Sequence, residues 1–189
     1  MSAEGFGSQL GSVGISIGDM FVNLSAEYPV ILDMVILIFA ATGVILSATA
    51  VFDFIKLGGR DRGNGAAPIA YKMIGGCSLV DLAFWTSVWT STIWSQTDPM
   101  DIGSYASSAG QDNGLVAIYA VIGFLVIVGY VTLGKAYYQV TRLGYLSPEA
   151  RGDMWSSIIS RGVAGSLMVA SMHVAKMIEE SVGFNFIPS

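Results

Sequence analysis

Residues 54–63 read FIKLGGRDRG, and residues 139–152 read QVTRLGYLSPEARG. Each phrase closes a long apolar run with a basic residue, then Leu-Gly, then a short polar stretch. Upstream of the first, residues 30–54 are apolar except for Asp33 and Asp53. That meets the roughly 20 mostly apolar residues that a membrane-spanning helix needs. Downstream comes Lys72-Met73-Ile74-Gly75-Gly76-Cys77-Ser78, and downstream of the second phrase comes Arg161-Gly162-Val163-Ala164-Gly165-Ser166. Both halves therefore run apolar helix, basic residue, Leu-Gly, polar loop, basic residue, small-residue cluster, second helix. A repeat at this scale is a statement about architecture, because each copy is one supersecondary unit.

Composition sets the environment. The chain has 189 residues, 53% hydrophobic and 12% charged, with a mean hydropathy of +0.62. Soluble domains carry about 25% charged residues. The apolar excess exceeds what a core of this size hides and points to lipid or to a polymer. Glycine, 23 residues in all, lies within the apolar stretches as well as outside them. In lipid, small residues let helix backbones approach and supply packing that the hydrophobic effect cannot. Gly43 with Ser47, and Gly162 with Ser166 and Ala170, repeat at helical spacing; with Gly75, Gly76 and Gly165 they are the expected packing residues, acting between helices and between copies of the chain.

The fold class expected is an all-α membrane protein of four helices arranged as two tandem helical hairpins. Residues 1–28 form a Gly/Ser-rich N-terminal segment, 29–96 the first hairpin, 97–114 a polar loop and 115–189 the second hairpin. Residues 30–54 and 115–138 are the clearest spans. Residues 69–94, opened by Pro68, and the amphipathic 155–182 carry more polar positions. Ser147 before Pro148 and Glu149 reads as a helix start, serine as N-cap and proline at the first helical position.

The charges sort by loop. Lys56, Arg60, Arg62 and Lys72 flank the first bend; Lys135, Arg142, Arg151 and Arg161 flank the second; Lys176 alone among the bases lies elsewhere. The N-terminal segment and the central loop carry acids and no base. The positive-inside bias puts both bends in the cytoplasm and the termini and central loop outside. No cleavable leader is expected, for want of a basic region followed by an apolar one at the start. Trp85, Trp89 and Trp94 fall toward the outer interface, where amphipathic rings sit.

Nothing here assembles into an enzyme. His173 and Cys77 are each the only residue of their kind, and no metal-spaced His/Cys set, nucleophile elbow or P-loop is present. Cys77 reads as a small packed residue. His173 and Lys176 share a helical face, either as a polar stripe meeting a neighbouring helix or as part of an ion path. Asp33, Asp53 and Asp81 in or beside spans raise the same pair of readings, since unpaired charge in lipid is costly; Asp53 is expected beside Lys56, and Asp81 against a base on another helix or copy.

The glycine-rich leader, the helix ending FDFIKLGGRDRG, the proline of AAPIAYKMIGG and a second apolar helix together resemble small membrane proteins of type IVB secretion and I-type conjugation systems, the DotE/IcmC, DotP/IcmD and TraQ/TraR-like group. The likeness covers mainly residues 5–95 and reaches the second half through the repeat. A second resemblance is to conjugative pilins, also apolar hairpins with a basic cytoplasmic bend, although this chain is about two such hairpins long. These resemblances imply a non-enzymatic, self-assembling, pilin-like subunit of the bacterial inner membrane that enters an extracellular filament or channel for DNA or protein transfer. An assembly factor of the same machine, and a small ion- or proton-coupled channel or transporter, are the alternatives. The partners implied are further copies of the chain, other secretion or conjugation subunits, membrane lipid and, non-specifically, transported DNA. No cofactor is implied, a bound phospholipid being the one small molecule the reading accommodates. The residues expected to face a lumen or lipid headgroups are Lys56, Arg60, Arg62, Lys72, Arg142, Arg151 and Arg161; a topology signal alone is the other reading of the same bases.

Overall fold

The computed structural model describes residues 20, 23–25, 27–57, 66–94 and 113–183, with side chains from 118 onward in the last segment. Among them the chain is helical throughout. The elements are α1 (Tyr28–Leu57), α2 (Ala66–Val80), α3 (Leu82–Trp94), α4 (Asn113–Val140), a 3-10 turn (Leu143–Tyr145), α5 (Pro148–Val169) and α6 (Ser171–Val182). At 1.5 Å per residue, α1 is about 45 Å long. By length and composition α1 and the stretch Ile118–Tyr145 are each able to cross a membrane, and α5 with α6 makes a third candidate if that bent pair is one span.

The four expected helices become six because the second helix of each half is interrupted. In the first half Asp81 is the break: its carboxylate accepts from the Phe84 amide at 3.3 Å, capping the start of α3. In the second half the break is Ala170, where α6 turns away from α5 by 72°. Set in register by Lys72 against Arg161, the two breaks occupy equivalent positions, each directly after a valine, Val80 or Val169. Helix boundaries elsewhere follow local chemistry. Ser147 is extended, at φ −63° and ψ 156°, and its hydroxyl accepts from the Ala150 amide at 3.4 Å, with Pro148 at the first helical position. Gly183 closes α6 in the left-handed region, at φ 76°.

α1 packs against α2, and α4 against α5, each pair antiparallel; α4 also lies against α1 and α2 and so sits at the centre. Val126, Ile127, Tyr130 and Leu133 of α4 form one core with Tyr28 and Leu32 of α1, Leu82 of α3 and Val169 of α5. A second cluster joins Ala136, Val140 and Leu143 to Ile158. Thr86 and Thr90 are fully buried on α3 and return their hydroxyls to the backbone, Thr86 to the Leu82 carbonyl at 2.7 Å and Thr90 to that of Thr86 at 3.1 Å.

Candidate functional site: glycine crossings and basic bends

Two sets of residues carry the functional reading. The first is where helices touch. A Cβ added to Gly43 would stand 2.6 Å from the Gly76 carbonyl oxygen and 2.7 Å from the Val80 nitrogen. One added to Gly76 would stand 2.6 Å from Ser47 Oγ and 3.2 Å from the Gly43 oxygen. In the second half, a Cβ on Gly129 would stand 2.8 Å from the Gly165 oxygen and 2.9 Å from the Val169 nitrogen, and one on Gly165 would meet Leu133 Cγ at 2.8 Å and the Gly129 oxygen at 3.1 Å. A Cβ at Gly43 or Gly129 would displace backbone, and one at Gly76 or Gly165 would displace the side chain of Ser47 or Leu133 and crowd the facing glycine's carbonyl.

The two crossings are the same crossing. With Leu57-Gly58 aligned on Leu143-Gly144, Gly43 falls on Gly129 and Ser47 on Leu133; with Lys72 on Arg161, Gly76 falls on Gly165 and Val80 on Val169. The Gly76 oxygen and Val80 nitrogen beside Gly43 thus have their counterparts in the Gly165 oxygen and Val169 nitrogen beside Gly129.

A third contact joins the halves. A Cβ on Gly75 would lie 2.5 Å from Thr141 Cγ2 and 2.9 Å from the Tyr137 oxygen, one on Gly134 would enter the Phe39 ring, and Gly144 lies directly against Pro68. The Trp89 indole donates to the Tyr137 hydroxyl at 2.8 Å, and its ring covers Gly162. The Trp94 indole donates to Ser166 Oγ at 3.3 Å. Trp89 and Trp94 therefore turn toward the second half, while Trp85 is the most open of the three expected at the outer interface.

All the expected packing residues, Gly43, Ser47, Gly75, Gly76, Gly162, Gly165 and Ser166, face other helices of their own chain. Each therefore has a packing role within one chain. Gly129, Gly134 and Gly144 are the packing glycines that sequence reading missed; the repeat register already paired Gly129 with Gly43 and pointed to the first of them.

The second set is the bases. Lys72 donates to Asp53 Oδ2 at 2.8 Å, an ion pair between α2 and α1 whose side chains are 17% and 31% exposed. Asp53 thus bonds Lys72 directly, with Lys56, the neighbour expected from sequence, acting on it through charge alone. Arg142 lies 5.0 Å over the Tyr138 ring and donates to its hydroxyl at 3.1 Å. Arg151 donates to the Leu146 carbonyl at 3.0 Å and the Gly144 carbonyl at 3.5 Å, holding the 3-10 turn closed. Lys56 is exposed at the end of α1, and Arg161 is half-exposed with no hydrogen bond or ion pair to another described residue. Arg60 and Arg62 lie outside the described residues. Asp81 serves as a cap, Asp33 is exposed on α1, and His173 and Lys176 sit on α6, half-buried and exposed in turn. Among the described residues no three His, Cys, Asp or Glu side chains converge as metal ligands do.

The arrangement presents two structurally equivalent helix pairs, glued at glycine crossings and carrying bases near their bends. No protein-family model, curated protein or solved structure matches the chain.

Proposed function

We propose that the chain is a structural, self-assembling membrane subunit of a conjugative or type IV secretion apparatus, two tandem pilin-like hairpins that build a filament or channel supporting DNA or protein transfer. One observation carries the reading: only 11% of the residues in the most apolar window of α1 are buried, against 56% in that of Ile118–Tyr145. A helix exposing Val30, Leu37, Ile38, Val44, Ile45, Phe52 and Ile55 is stable only when lipid or another chain covers it. The glycine crossings fix each hairpin internally and leave that outer surface as the part available for insertion and assembly. The basic bends lie in the cytoplasm before assembly and supply positive charge to lipid headgroups or to the phosphates of a passing nucleic acid.

An ion-coupled transporter needs intramembrane acids gathered on a polar path. Asp53 is engaged by Lys72 and Asp81 by the α3 amide, while Asp33 stands exposed on α1; the three acids do not gather at one place, which favours the subunit reading. The test is genetic and physical together. Deleting the gene in a donor strain should abolish transfer, the wild-type chain should restore it, and the chain should be recovered both in membranes and in sheared filaments. Normal transfer without the chain would overturn the reading.

A further inference from the structure

The two helices that follow the breaks are counterparts in different surroundings. With Lys72 set on Arg161, α3 falls on α6, and Trp85, Trp89 and Ile93 fall on Val174, Ile178 and Val182. On α3 this line reaches the second half through Trp89, whose indole bonds Tyr137 and covers Gly162. On α6 the indoles are gone and charge has arrived. Phe84, Ser87 and Ser91 of α3 have His173, Lys176 and Glu180 as their counterparts. At about 100° per residue these three share one line of α6, and Val174, Ile178 and Val182 share the line opposite.

α6 also turns off the bundle. It leaves α5 at 72°, and α5 runs along α4, which supplies most of a stretch able to cross a membrane. α6 therefore lies much closer to the membrane plane than to the direction of the spans. Burial belongs to its start: Met172 is buried, whereas Ile178 and Val182 are 56% and 57% exposed. α5 brings an exposed apolar line to the bend, Ile159, Val163 and Leu167, each one helical step from the last. Val174, two such steps beyond Leu167, carries that line into α6. The 22 residues of α5 rise about 33 Å, so the bend falls near the far edge of a hydrocarbon core about 30 Å thick.

We infer that α6 lies in the boundary between lipid and water at the end of α5 remote from the basic bend, with Val174, Ile178 and Val182 toward the acyl chains and His173, Lys176 and Glu180 toward headgroups and water. Hydrocarbon on every side would strand those three ionisable side chains. Water on every side would strand the apolar line. A lipid surface serves both lines at once, and it is continuous with the medium that covers Ile159, Val163 and Leu167 on α5. So placed, α6 fixes the depth of the second half, because α5 cannot slide along the membrane normal without drawing one line of α6 out of its medium. The inference rests on the reading of the chain as membrane-spanning and not on its assignment to a secretion apparatus.

Depth measurement tests this on the full chain in vesicles of phosphatidylethanolamine and phosphatidylglycerol. Val174→Cys, Lys176→Cys, Ile178→Cys, Glu180→Cys and Val182→Cys, each in a Cys77→Ser background, carry a spin label, with Ile159→Cys, Val163→Cys and Leu167→Cys as the reference on α5. Collision with oxygen, which concentrates among acyl chains, is compared with collision with a water-soluble nickel chelate. Along α5 the labels should change depth by about 6 Å for every four residues. From Val174 to Ile178 to Val182 each step should be about 2 Å, the same rise tilted by 72°. Labels at Lys176 and Glu180 should prefer nickel over oxygen at least tenfold more than the label at Ile178 does. A depth change along α6 as steep as along α5 would make α6 the end of a span and overturn the inference. Nickel access all round α6 would put it in water, and exclusion of both agents from Ile178 and Val182 would mean a cover made of protein; either overturns it. If the α5 labels also meet nickel alone, the chain is not in lipid and the membrane reading falls with the inference.

Discussion

α1 and α4 are counterparts in the repeat, yet they live in different surroundings. Both carry a glycine at the same register, Gly43 or Gly129, and both use it to admit the backbone of the helix that follows. α4 is then covered over more than half of its apolar window, by α1 and α2 among others, while α1 shows most of its apolar surface to the exterior. The shared contact makes the hairpin; the unshared one leaves the flank of α1 apolar and uncovered within the chain. The same contrast appears at the bends, where Asp53–Lys72 is an ion pair and the corresponding residues in the second half are Gln139 and Arg161.

The largest effect should come from breaking the shared crossing. Gly76→Leu and Gly165→Leu each force backbone apart and should lower stability by about 3 kcal/mol or more. Thermal unfolding in detergent checks this, and equal losses would confirm that the two crossings are equivalent. Gly152→Ala, at a helical position with nothing within 4 Å of an added Cβ, is the control and should be neutral or stabilising by about 0.5–1 kcal/mol. A smaller effect should separate the halves: Lys72→Met removes the ammonium that Asp53 bonds and should lower the unfolding temperature more than Arg161→Met does at the counterpart without an ion pair. Partial rescue of Lys72→Met by Asp53→Asn distinguishes the stranded charge from lost packing. The smallest effect belongs to Lys56→Gln, exposed at the helix end, which should leave unfolding within about 0.5 kcal/mol of wild type.

Much of this was legible in residue order. Apolar runs of spanning length mark α1 and α4, Ser147-Pro148 marks the start of α5, the Leu-Gly echo aligns Gly43 with Gly129, and the alignment of Lys72 on Arg161 pairs Gly76 with Gly165. The helix breaks were not legible. Asp81 lies in an otherwise continuous apolar run, and Ala170 has high helix propensity, so neither carries a stop signal of the Gly or Pro kind. The partner of each glycine was not legible either. Spacing puts Gly75 and Gly76 side by side on α2, but only the packed structure sends Gly76 to α1 and Gly75 to α4. Hence the partner helix of each small residue within the chain is set by the packed structure. The two indoles expected in a membrane interface, Trp89 and Trp94, found hydroxyl partners on Tyr137 and Ser166, as buried indoles generally must.

The covering of α1 by further copies of the chain is tested most directly by electron microscopy of the protein extracted from membranes with its lipid. An ordered assembly in which a neighbouring copy covers the exposed apolar face of α1 is the expected result. Isolated single chains with α1 ringed only by lipid or detergent would contradict it.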